Sequence, residues 1–196
     1  MTLKEAYEYG QEQLKNVGID DADLDAWYLL EHVTGITRAG YFMDMHRALS
    51  EKEEAEYREF VAIRAKHVPL QHITGVQEFM GLAFGVNKHV LVPRQDTEVL
   101  VESVLEVLKP QMRVLDMCTG SGCILISLLK LCGLADVSGV GVDISEEALS
   151  TARRNAELND FSGKGNLDFL CADVFDLLTN MAKQGHSPYD FIILDP

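Results

Sequence analysis

Along the first 68 positions the apolar residues recur at helical intervals: Leu3, Tyr7, Leu14 and Val17 form one series, and Leu24, Trp27, Tyr28, Leu30 and Val33 the next. Ser50-Glu51-Lys52-Glu53 has the form of a capping box, in which serine hydroxyl and glutamate carboxylate each take an amide N–H at the helix start. It opens a third series through Ala55, Phe60, Ile63 and Arg64. Breaks at Gly18 to Asp21, at Gly35 and over 44–49 divide the segment into four or five short helices, so residues 1–68 are expected to form a small all-α domain.

The pattern changes at Pro69. Ile73-Thr74-Gly75-Val76, Phe79-Met80-Gly81-Leu82 and Phe84-Gly85-Val86 mix β-branched and aromatic residues with glycines at turn positions, which predicts a β-hairpin connector over 69–93 that Pro93 closes. A helix over 97–108 follows, with Val101, Val104, Leu105 and Leu108 on one face. Strands at 113–117, 137–142, 167–171 and 191–194 then alternate with helices at 122–131, 146–158 and 175–184. Such alternation builds βαβ units, so residues 94–196 are expected to be an α/β domain with a parallel sheet covered on both faces.

Composition fits this picture: 196 residues, 47% hydrophobic and 24% charged, describe a globular chain with one substantial core and room for a small second one. The chain has no run of eighteen apolar residues, and its N-terminus is acidic and amphipathic. Together these point away from the membrane and toward the cytoplasm. Cys118, Cys123, Cys132 and Cys171 never form a C-x-x-C pair and the histidines lack ligand spacing. The expectation is therefore reduced, mostly structural cysteines and no metal site. Against 17 basic residues stand 31 acidic ones, a formal charge of −14 that repels a phosphate backbone and argues against direct binding to DNA.

Candidate chemistry centres on Asp116-Met117-Cys118-Thr119-Gly120-Ser121-Gly122-Cys123-Ile124-Leu125, a buried strand, a glycine turn and a helix start. Gly120 and Gly122 allow a ligand close to the main chain at the carboxyl end of a strand, where α/β sheets bind ligands. Asp143 ends the next strand, where a carboxylate can take both hydroxyls of a ribose, and Asp173 follows the third. These acids alone suit a nicotinamide dinucleotide as well as S-adenosylmethionine. Two details favour the methyl donor. Leu125 stands where a dinucleotide fingerprint has its third glycine, and Asp116 before the loop suits a sulfonium and an ammonium better than a pyrophosphate. Each acid also has a structural reading, Asp143 and Asp173 as caps of the helices that follow them.

Pro69-Leu70-Gln71-His72-Ile73-Thr74-Gly75, Glu78-Phe79, Gly81-Leu82 and Val92-Pro93-Arg94-Gln95-Asp96-Thr97-Glu98 resemble the connector of the release-factor glutamine N5-methyltransferases, the HemK (PrmC) family. The loop from Asp116 to Gly122 resembles that family's donor motif, with Cys118 where many members have glycine, and Asn155 and Asn159 also fit. The resemblance implies a class I S-adenosylmethionine-dependent methyltransferase fold behind a substrate-recognising helical domain. It implies methyl transfer to the side-chain amide of the glutamine in the Gly-Gly-Gln motif of class I peptide-chain release factors, leaving S-adenosylhomocysteine, by an enzyme expected to be a monomer. Cys118 to Gly122 would line the methionine part of the donor, Asp143 would hold the ribose, and Asp173 with Val174 would flank the adenine. Asp195 and Pro196 align with the first two positions of the family's catalytic N-P-P-Y motif, Asp195 replacing asparagine.

Methylating an amide requires gripping an NH2 group whose lone pair is delocalised, and the Asp195 carboxylate keeps the acceptor oxygens for that task. D-P-P-Y is also familiar from enzymes that methylate exocyclic amines, so an adenine N6-methyltransferase is the alternative, which the charge and the P-R-x-D-T-E segment oppose. A class I sheet has seven strands and the sequence supplies four before Pro196, so a C-terminally truncated domain, and with it a non-catalytic donor-binding fragment, is a further expectation.

Overall fold

The computed structural model describes residues 1–161, 166–184 and 188–195. It divides into two compact units, Met1–Thr74 and Gly75–Pro196. Among the described residues no helix is long and apolar enough to cross a membrane.

The first unit holds α1 (Leu3–Asn16), α2 (Ala22–Thr34), α3 (Arg38–Met43), α4 (Glu51–Arg64) and α5 (Leu70–Thr74). Ser50 and Glu53 form the expected capping box, and Thr2 with Glu5 forms a second at the start of α1. Gly35 ends α2 in the left-handed conformation, φ 66°, that glycine adopts without strain. Trp27, Tyr7 and Tyr41 meet edge to face over a core of Leu3, Leu14, Leu29 and Leu30. The buried face of α4 differs from expectation: Tyr57 and Val61 are enclosed, whereas Ala55 faces solvent. Tyr57 goes inside because its hydroxyl donates to the Ala26 carbonyl at 3.2 Å, satisfying the polar tip of an otherwise apolar ring.

A second difference lies at 70–74, which is helical where extended chain was expected from Ile73. A turn at Pro69, with His72 N–H donating to its carbonyl at 3.0 Å, starts the helix. Leu70 and Ile73, three positions apart, then pack on the core of the first unit.

In the second unit, β1 (Val76–Phe79) and β2 (Leu82–Gly85) pair antiparallel through a two-residue turn, Met80-Gly81, with positive φ at both positions. That is the mirror-image turn that suits the twist of a hairpin. After α6 (Gln95–Val107) come β3 (Arg113–Met117), α7 (Cys123–Leu131), β4 (Ser138–Asp143), α8 (Glu146–Leu158), β5 (Leu167–Cys171), α9 (Val174–Gln184) and β6 (Phe191–Leu194). The strands run parallel in the order β5-β4-β3-β6. β3 is interior, and four of its five residues are buried: Val114, Leu115 and Met117 are apolar, and Asp116 is the one buried acid among them. The connections step from β3 to β4 to β5 on one side, then return to the other side as β6. The carboxyl end of β3 is thus the switch point at which an open α/β sheet forms its crevice.

Candidate functional site

The loop after β3 is shaped by its own backbone. Thr119 N–H donates to the Val142 carbonyl at 2.9 Å and Gly122 N–H to the Thr119 carbonyl at 2.8 Å. Cys118, Gly120 and Gly122 all have positive φ, 61°, 54° and 77°. Gly122 is required twice over: besides its φ, a Cβ there would lie 3.0 Å from Ile126 and 3.2 Å from Ala152.

Three carboxylates surround this loop. Asp143, at the end of β4, accepts from Gly120 N–H at 3.0 Å and from Ser145 N–H at 3.0 Å, so it braces the glycine turn. Ser145, and not Asp143, caps α8. Asp116 lies beneath the loop, 1% exposed, and accepts the Thr119 hydroxyl at 2.6 Å through Oδ2. Its Oδ1 is buried without a hydrogen-bond partner among the described residues. Burial pushes the Asp116 carboxyl up to about 7; the Thr119 hydroxyl and a weaker pull from the Leu125 amide oppose this, while Asp195 and Asp143 reinforce it. Asp195 follows β6, whose register places Leu194 beside Met117 and so brings the end of the strand to the start of the loop.

A cleft of about 280 Å³ opens here. Cys118, Thr119, Gly120 and Ser121 line one wall, Pro93, Arg94, Asp96 and Thr97 another, and Asp195 lies between them. Ion pairs of Arg94 with Asp96 or Glu98 do not form; the Glu98 carboxylate instead accepts Met80 N–H at 2.7 Å and ties the hairpin turn to α6. Asp173 accepts from Phe175 and Asp176 N–H at 2.8 and 3.2 Å, the cap geometry at the start of α9, and is not among the residues of the cleft wall. Val174 packs against the Leu115, Met117 and Val142 cluster. Pro196 lies outside the described residues. Cys118, expected on the donor side of the loop, is exposed on the cleft, and its partial burial together with Asp143 and Asp116 raises its thiol above the ordinary value. Cys123 is buried and pushed up to about 12. Neither thiol is poised as a nucleophile.

Asn155 is the residue whose part is largest relative to its notice in the sequence. Its amide donates to the carbonyls of Ser121, at 2.9 Å, and Gly85, at 3.0 Å, and accepts Gly85 N–H at 2.7 Å. One buried side chain therefore joins the glycine loop to β2. Asn159, one turn on, donates to the Ala83 carbonyl at 3.1 Å. The signal was present: asparagine is a poor helix former, and Asn155 sits on the inward face of α8 while Asn159, also buried, caps its end.

Comparison with known proteins places this architecture. The family model for the PrmC N-terminal domain matches residues 5–75, and a methyltransferase domain model matches 108–195. The release factor glutamine methyltransferase of Geobacter sulfurreducens is 41% identical over 156 residues, and that of Caulobacter vibrioides 37% over 188. By sequence, the chain is similar to the release factor glutamine methyltransferases, with a PrmC N-terminal domain followed by a methyltransferase domain. The matches cover 80% and 92% of the chain but 54% and 64% of those relatives, so it spans between about half and two thirds of the length of the relatives it matches. Among solved structures, a SAM-dependent methyltransferase from Agrobacterium tumefaciens superposes with a TM-score of 0.50 at 19% identity, covering 62% of this chain and 39% of that one. At that identity the likeness is one of fold.

Proposed function

We infer that the second unit binds S-adenosylmethionine in the cleft and that the chain serves methyl transfer to the side-chain amide nitrogen of the Gly-Gly-Gln glutamine of class I release factors, in the cytoplasm. The observation that carries this reading is the meeting of the glycine loop with Asp195 in one cleft, on a chain whose relatives bear that name. The donor set fits the group. A buried carboxyl oxygen without a partner and two further acids around a glycine turn suit a zwitterion with two cationic centres and repel a pyrophosphate.

When bound, S-adenosylmethionine supplies an electrophilic methyl on a cationic sulfur. The chain's own residues do the rest. Cys118 to Gly122 offer main chain to the methionine part, and Asp143 is placed at the end of β4 for the ribose. Asp173 and Val174 are proposed to border the adenine. Asp195 accepts an N–H of the glutamine amide, turning the nitrogen lone pair toward the methyl and lying beside the proton that the nitrogen must shed. Pro196, by the family pattern, would offer its carbonyl to the second N–H.

The test is incubation of the chain with methyl-labelled S-adenosylmethionine and a release factor, or the same factor with its Gly-Gly-Gln glutamine changed to alanine. Label is expected at that glutamine alone. Donor binding with no transfer would instead make the chain a binding module, and label on an adenine oligonucleotide would favour the exocyclic-amine reading.

A further inference from the structure

Asp195 has a partner that the function proposed above does not use. The Thr97 hydroxyl, in the first turn of α6, donates to Asp195 Oδ2 at 2.9 Å across 98 positions of sequence. Both residues line the cleft. Thr97 is itself held from two sides: its N–H donates to the Arg94 carbonyl at 3.1 Å, and Glu98, the next residue, accepts Met80 N–H at 2.7 Å from the hairpin turn. Nothing about helix stability calls for a threonine here, because a β-branched residue inside a helix carries a small cost in side-chain freedom.

We propose that Thr97 is a positioning residue for Asp195, fixing one carboxylate oxygen so that the other faces the cleft as acceptor for the substrate amide N–H. A carboxylate just beyond the end of a strand has several side-chain rotamers open to it, and each wrong one points the acceptor away from the nitrogen. A charge-assisted hydrogen bond from an anchored helix selects one of them before substrate arrives. The hydroxyl also suits an asparagine at the same place, since it can accept from the side-chain amide and again leave the carbonyl oxygen for substrate. This role rests on the methyltransferase reading.

The experiment uses the full chain with Thr97→Val, which keeps the shape and loses the hydroxyl, and Thr97→Ser, which restores it. Donor affinity is measured by calorimetry, kcat for methyl transfer to the release factor by labelled donor, and the Asp195 carboxyl carbon resonance by NMR at constant pH. The valine variant is expected to lose kcat by about 10–100-fold, the worth of one hydrogen bond to a charged group. Its donor affinity should hold, its Asp195 resonance should move, and serine should reverse both changes. Turnover at the unsubstituted rate in the valine variant, an unmoved resonance, or failure of serine to restore activity would each overturn the proposal while leaving glutamine methylation standing. Absence of transfer by the unsubstituted chain with donor bound would overturn the methyltransferase reading and this role with it; the rate of the unsubstituted chain separates the two failures.

Discussion

Asp116 concentrates the conflict built into this cleft. A carboxyl 1% exposed, with one oxygen held by Thr119 and the other without a partner, is costly to ionise, and burial raises it to about 7. Its folded pKa lies above the value of the unfolded chain, so the folded state holds a proton that the unfolded state has released between about pH 4 and 7. Stability from this group is therefore full below pH 4 and lost as pH rises toward and through 7. Asp116→Asn, which keeps shape and polarity but not the titration, is expected to lessen this decline, read as the difference in Tm between variant and parent from pH 5 to 8. A constant difference would mean that Asp116 does not titrate in that window. A cationic donor favours the ionised form, so donor affinity should climb through the same range in the parent, with Asp143 and Asp195 as the other acids near this carboxyl. Asp143→Ala should abolish donor binding measured by calorimetry with the fold retained, and a normal titration would remove Asp143 from the site.

What holds the loop in place belongs to helices and strands. α8 carries Asn155 against β2 and the glycine turn, so Asn155→Leu leaves the Ser121 carbonyl and both polar groups of Gly85 without their partner. Each unsatisfied buried group costs about 1–3 kcal/mol, and urea denaturation should show a loss at the upper end of that range for one site. A loss below about 1 kcal/mol would mean that water reaches these groups. In the first unit, Ser50→Ala removes one half of a capping box at α4 and should cost about 1 kcal/mol, seen in the same experiment. The strands, the helices between them and the glycine loop were legible because each strand is a short, mostly apolar stretch between turn residues, a pattern local to a few positions. Two features of comparable size were not. The helix at 70–74 is a single turn whose two apolar residues are too few to show a period, and Tyr57 reads as polar until the Ala26 carbonyl that satisfies it is in view. The pairing of Thr97 with Asp195 was out of reach altogether, since it depends on where β6 joins the sheet beside β3 and on where α6 lies, for residues 98 positions apart.

The charge of −14, from 31 acidic and 17 basic residues, acts on the molecule as a whole and on encounters before any contact forms. A field of one sign repels a phosphate backbone and attracts a basic surface, so it separates the two substrate classes by rate and not only by fit. Duplex DNA should show no retention by the chain even at about 10 mM salt, where the Debye length of about 30 Å leaves the repulsion unscreened. Association with a release factor, the proposed substrate, should be fast at low salt and slow as salt is added, while dissociation changes less, because screening weakens steering more than the close contacts that hold a complex. Stopped-flow association between about 10 and 500 mM salt measures this directly. An association rate that does not change across that range would mean that the acidic surface is a solvated exterior with no part in recognition. Reversing Glu51, Glu54 and Glu56 to lysine then locates the effect: if α4 of the first unit steers the partner, the low-salt rate falls and the salt dependence flattens, whereas an unchanged profile assigns the steering to acids outside α4.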